Sequence, residues 1–158
     1  MIEKDVLSLS LKKKSIIDYD KIYSIAKSWA EGLDIDLTET SHKEKGDIEL
    51  EWNAEKSMTS YIKSGYKIQL FIISPSSVEI VKEGKKKKMK KAIVKLSIKS
   101  KIITDSDKKW DGSDIKKSIE KFFNKFVYAG TISKHKKEIG AQTLKLFNLY
   151  KEELEVET

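Results

Sequence analysis

Between residues 33 and 103 apolar side chains fall on every second position, segment after segment, and that period dictates an antiparallel sheet with one dry face. "LDIDLTET" (33–40) sets Leu33, Ile35 and Leu37 on one side, and "DIELEW" (47–52) aligns Ile48, Leu50 and Trp52. Residues 58–73 continue the pattern at Tyr66, Ile68, Leu70 and Ile72. "HKEKGD" (42–47) reads as a turn, and the only proline, in "SPSS" (74–77), predicts a break. Beyond it "VEIV" (78–81) and "AIVKLSIKSKII" (92–103) form a hairpin. An earlier segment, "DVLSLSL" (5–11), alternates through Leu7, Leu9 and Leu11.

Three stretches switch to helical spacing. Asp18 suits an N-cap with Ile17 and Ile22 as a hydrophobic staple; Ile22, Ile25, Ala26 and Trp29 share a face, and Gly32 suits a left-handed stop. Near the end, Ile115, Ile119, Phe122 and Phe126 mark a face predicted to be buried, with Trp110 and Ile115 stapling an Asp111 cap. Gly130 separates it from a last helix whose Ile139, Leu146, Phe147, Tyr150 and Leu154 coincide. The order is β-α-β-β-β-β-β-α-α, an α+β domain with a curved antiparallel meander of about six strands against C-terminal helices. No linker divides it, so one domain over 1–158 is expected.

That element order resembles the helix-grip arrangement of the START and polyketide-cyclase-like superfamily. The resemblance implies a meander wrapped around a C-terminal helix and a space between sheet and helices able to hold an apolar small molecule. Trp29, Trp52, Tyr66, Phe122, Phe126 and Phe147 are the residues expected to line such a cavity, or to pack as plain core.

Charge is the second constraint. Residues 82–101 hold ten lysines against one acid, Glu83, whereas the rest of the chain holds 22 lysines against 24 acids, so the surplus is local. Every basic residue is lysine, which attracts phosphate as a point charge without arginine's bidentate fork. Lys91, Lys95, Lys99 and Lys101 alternate outward while Lys85, Lys86, Lys87, Lys88 and Lys90 sit at or near the turn, drawing one exposed ridge. Such a ridge fits a polyanionic partner, be it RNA, a ribonucleoprotein or an anionic membrane face; it equally fits a solvated hairpin whose lysines protect a strand edge. With no aromatic residue in 82–101, base stacking has no platform there.

Enzyme chemistry finds little footing. There is no cysteine, and no GxSxG, GxGxxG, HExxH or P-loop pattern occurs. "DSDKKWDGSD" (105–114) fails calcium-loop spacing, with Trp110 where glycine belongs and Lys116 where glutamate belongs. His135 and Glu138 could share a helical face, but two ligands do not make a metal site, and His42 falls in the predicted turn. Glu39 is the acid that most nearly faces inward. The N-terminus is unlike a signal peptide, and "LFII" (70–73) is too short to span a bilayer. The expectation is therefore a non-enzymatic, cytoplasmic binding or adaptor domain without metal or cofactor, its lysine hairpin docking on a polyanion; the alternative is a carrier of an apolar small molecule.

Overall fold

The computed structural model describes residues 1–105, 108 and 112–156, with the backbone alone at residues 82 and 156. Its elements are β1 (Ile2–Ile17), α1 (Tyr19–Gly32), β2 (Asp36–Lys45), β3 (Asp47–Ser57), β4 (Ile62–Lys82), β5 (Lys85–Thr104), α2 (Asp114–Phe126) and α3 (Ala129–Val156). The strands make one open antiparallel sheet in the order β1-β5-β4-β3-β2. α3 packs against β1, β5 and β4, and α1 against α3 and β2.

The alternation sorts the faces as the sequence predicts. One row runs Leu11, Leu96, Leu70, Leu50 and the next runs Leu9, Ile98, Ile68, Trp52 across four paired strands. From β5 to β3 these residues are buried beneath the helices. α3 closes that face with Ile139, Leu146, Tyr150 and Leu154, all fully buried. Burying apolar side chains is the main force in folding, at about 1.5–3 kcal/mol for each large one.

Among the described residues the antiparallel meander has five strands, where the sequence suggests about six. Pro75 does not end a strand: β4 runs through it on a bulge, with a register jump between Ile73 and Ser76. Ser74 takes φ 51° and donates its N–H to Asp47 Oδ1 at 2.8 Å. A bulge leaves one residue out of the ladder, which is where a proline lacking N–H is tolerated. The predicted turn at 42–47 shrinks to Gly46, at φ 82°, so His42 lies on β2.

Helix ends differ from expectation in detail. Asp18 does precede α1 with extended backbone, but its side chain makes no capping bond, and the left-handed residue is Asp34 (φ 54°), not Gly32. α2 is capped by Ser113, whose hydroxyl accepts from Lys116 N at 3.1 Å. The proposed Trp110–Asp111 staple lies outside the described residues. The break between the last helices falls at residues 127–128, and Gly130 belongs to the first turn of α3. Most consequential, α2 is rolled about its axis: Ile115, Ile119, Phe122 and Phe126 face solvent rather than the core.

Candidate polyanion-binding surface

Extended pairing makes the lysine hairpin longer than a turn. β4 and β5 stay in register to Lys82 opposite Lys85, leaving Glu83 and Gly84 as a two-residue turn with φ 54° and 77°. Both signs are positive, as the twist-compatible hairpin turn requires. β3 reaches only to Ile72 and β1 only to Lys90, so Val78–Lys82 and Lys85–Met89 pair solely with each other. At 3.3 Å per residue this ribbon projects about 15 Å past the sheet.

The single ridge expected of the lysines divides in two. The pleat sends Lys91, Lys95 and Lys99 to the helix-free face, all exposed, whereas Lys86, Lys88 and Lys90 continue the opposite parity. Lys85, Lys86 and Lys88 are exposed at the tip. Lys87 Nζ is paired with Asp18 Oδ2 at 2.7 Å, and Lys90 Nζ stands 5.0 Å over the Tyr19 ring. Lys101 is half-buried against Glu3 at 3.1 Å.

What the hairpin loses, the neighbouring strands restore. β1 contributes Lys12 and Lys14, and β4 contributes Lys67, all exposed. Lys12 lies directly opposite Lys95, and Lys67 directly opposite Lys99. Like charges facing each other across strands repel. Lys67 is partly offset by Glu51 at 3.5 Å. Among the described residues, no carboxylate comes within 4.0 Å of the amines of Lys12, Lys14, Lys91, Lys95 or Lys99. A depression of about 390 Å³ opens beside this cluster where Gly65 presents no side chain, lined among others by Lys67, Lys99, Lys101, Asp5 and Glu55. Acids gather on the β3 side, as Glu49, Glu51 and Glu55, so the face is basic along β1, β5 and β4 and acidic at its far margin. No signal within residues 82–101 reveals Lys12, Lys14 and Lys67; only strand pairing brings them in.

A polar network edges the base of the hairpin. The bulge at Thr40, between Glu39 and Ser41, shifts β2 by one residue, so Glu39, His42 and Glu44 share the parity that faces α1. Tyr23 Oη donates to Glu39 Oε1 at 2.7 Å, Tyr19 Oη to Glu44 Oε1 at 3.2 Å, and His42 Nε2 meets Glu44 Oε1 at 2.8 Å. Burial, then the charge and hydrogen bond of Glu44, push the Tyr19 phenol up to about 12. Burial would raise the Asp18 carboxyl, but the hydrogen bond and charge of Lys87 prevail and hold it below its usual range. Glu39 is thus turned inward, as the sequence predicts, yet it is a hydrogen-bonded, half-exposed acid at a rim.

The aromatic set expected around a cavity divides as well. Trp29 stands edge-on to Tyr66 at 5.0 Å and donates Nε1–H to Gln142 O at 3.1 Å; Trp52 meets Tyr23 at 5.9 Å. Phe147 packs against the same cluster. Phe122 and Phe126 are 60% and 64% exposed and line no interior space, because buried Glu120 and Asn124 occupy the face of α2 turned to the sheet. His135 Nδ1 lies 3.4 Å from Glu138 Oε2, and the described residues contain no group of three or more histidine or acidic side chains placed to hold a metal. No helix of the described residues is long and apolar enough to cross a membrane.

A scan against protein-family models finds no match for this chain, and no curated protein is significantly similar to it.

Proposed function

We propose that this protein is a non-enzymatic docking domain that binds a polyanionic partner through the helix-free face of its sheet and the projecting β4–β5 ribbon. The observation that carries the reading is the pair of opposed lysines, Lys12 against Lys95 and Lys67 against Lys99, on one exposed face. Such an arrangement is self-repelling when empty and is relieved when phosphates lie across it. Lys85, Lys86, Lys88 and Lys91 extend the positive field toward the tip, while Lys87 and Lys90 are engaged at the base. Since lysine reads charge and not base edges, binding is non-sequence-specific, and an RNA or ribonucleoprotein backbone is the partner that fits best. The helix-grip relationship is part of this proposal: a meander gripping a 28-residue C-terminal helix supports it. No observation favours a ligand carrier over this reading, since Trp29, Trp52 and Tyr66 are engaged with their neighbours.

Fluorescence anisotropy with a single-stranded RNA across a salt series tests the proposal. Wild type is expected to show a steep decline of log affinity with log salt. Replacing Lys12, Lys95 and Lys99 with glutamine should flatten that slope by about 0.7 for each lysine engaged. Equal slopes in wild type and variant would sink the reading.

A further inference from the structure

α2 is an amphipathic helix mounted with its apolar side out. Ile115, Ile119, Phe122 and Phe126 recur at three- and four-residue spacing in one stripe, yet they are 75%, 51%, 60% and 64% exposed. The opposite side is anchored by polar bonds. Tyr61 Oη donates to Asn124 Oδ1 at 2.5 Å, Asn124 Nδ2 donates to Thr104 Oγ1 at 3.1 Å, and Glu120 Oε2 lies 3.2 Å from the amino group of Met1. These bonds fix the roll of the helix, so the stripe is held toward solvent. Lysines border it on both sides, Lys116 along one edge and Lys121 and Lys125 along the other, all exposed. Lys125 Nζ lies 5.4 Å over the Phe126 ring. Alongside runs a groove of about 680 Å³ lined by Lys4, Lys121, Lys125 and Lys136, with Asn124 and Ser133 between them. Among the described residues, none of these four lysines is paired with a carboxylate.

We propose that α2 is an interfacial helix that docks this end of the molecule on a bilayer containing anionic lipids. The stripe enters the boundary between headgroups and acyl chains, and the bordering lysines and the groove take the headgroup phosphates. Apolar aromatic and aliphatic residues bordered by lysine are the composition that interfacial helices use. Charge argues against a second copy as the occupant, because apposing two α2 stripes sets Lys116, Lys121 and Lys125 of each chain against the other with, among the described residues, only Asp114 beside the stripe to offset them. Size argues the same way: thirteen residues span about 20 Å at 1.5 Å each. At a helix width of about 10 Å such a strip covers about 200 Å², far short of the ~800 Å² per partner of a stable interface. The residues are disjoint from the sheet lysines and lie at the other end of β5, so the inference stands whether or not the polyanion reading does.

Flotation of the purified chain with phosphatidylcholine vesicles that contain or lack phosphatidylserine provides the test. Wild type is expected to float with the phosphatidylserine vesicles and to stay behind with phosphatidylcholine alone. The double variant Phe122→Ser/Phe126→Ser, at exposed positions, should keep its circular dichroism and lose about tenfold or more in partition. Lys121→Gln/Lys125→Gln should lose about 25-fold, each lysine near an anionic surface being worth roughly a factor of five. Phe122→Trp should shift its emission to the blue on the anionic vesicles. The hairpin variant Lys85→Gln/Lys86→Gln/Lys88→Gln, which removes cations from the other end of β5, should lose less partition than Lys121→Gln/Lys125→Gln. Wild type that fails to float, or a serine double variant that floats equally well, overturns the proposal. So does partition lost in the hairpin variant alone, which moves the contact to the ribbon. A dimer that dissolves in the serine variant, in place of flotation, hands the stripe to a second copy and overturns it too.

Discussion

The two ends of β5 carry lysine on opposite kinds of ground. At the ribbon end the amines stand on a pleated sheet among serine, more lysine and the half-buried Phe71, Ile73 and Ile93, with the fully buried apolar rows on the covered face. At the α2 end they border an exposed apolar stripe, and the buried face is the polar one. At the first end an unpaired lysine stays out of the core, so the period of β5 assigns the face of Lys91, Lys95 and Lys99. The second could not be placed that way. Periodicity tells which residues share a side of a helix, and only the neighbours decide which side goes in. For α2 the neighbours are Tyr61, Thr104 and Asp105 at the sheet end, and polar groups withdrawn from water require partners. Asn124 supplies one to Tyr61 and Thr104, Glu120 shares the Met1 amino group with Asp105, and the phenylalanines are displaced to solvent.

Reversing that logic gives the largest expected effect. Asn124→Leu makes α2 more apolar on its inner side, yet it should destabilise by about 1–3 kcal/mol, because the hydrogen bonds of Asn124 to Tyr61 and Thr104 are lost beneath the helix. Phe122→Ser should cost no more than about 0.5 kcal/mol, as exposed substitutions do. Urea unfolding of the two variants decides it. The opposite ranking would mean that the helix is rolled the other way and that the contrast between the two ends is false.

A smaller effect sharpens the other end. Asp18→Asn removes the carboxylate paired with Lys87, a half-buried pair whose contribution is on the order of 1 kcal/mol. Because the carboxyl is held below its usual value of 3.8, its contribution is present above that pH and fades as pH falls through the lower folded value. The stability gap between Asp18→Asn and wild type should therefore be seen at neutral pH and close in acid. The same substitution removes a negative charge from the base of the ribbon, so RNA affinity at low salt should rise a few-fold. A drop would place the anion away from the hairpin.

Much of the sheet was legible beforehand because burial on one face leaves no freedom of register: Ile48, Leu50 and Trp52, and Tyr66 through Ile72, lie where alternation puts them. Among the described residues three bulges escaped it, one of them at Val6 in β1. The one at residues 74–75 turned an apparent strand end into a continuous strand, and the one at Thr40 brought His42 onto the face of Glu39. A bulge costs one residue of phase, and nothing in the composition of Ser-Pro or Glu-Thr-Ser marks it. The lysine surface was half legible for a related reason: Lys95 and Lys99 follow from their own strand, whereas Lys12 and Lys67 join them only through pairing between strands far apart in sequence.

The most delicate difference between the ends is electrostatic and is carried by two tyrosines. Tyr19, near the ribbon, and Tyr61, beneath α2, both have phenols pushed up to about 12 with burial as the largest cause. Their charged neighbours differ: Glu44 for Tyr19, and Glu120 with Asp105 for Tyr61. A raised folded value above the usual 10.0 means that each tyrosine stabilises the fold fully below about pH 10. That contribution disappears as pH climbs through about 12. Glu44→Gln takes away a charge but no burial, so the Tyr19 step in a tyrosinate absorbance titration should move down only part of the way toward 10 and leave the Tyr61 step in place. Glu120→Gln should do the reverse. Tyr→Phe variants identify each step. If Glu44→Gln displaced both steps together, the two ends of β5 would share one electrostatic environment, and the separate docking roles assigned to ribbon and helix would lose their physical basis.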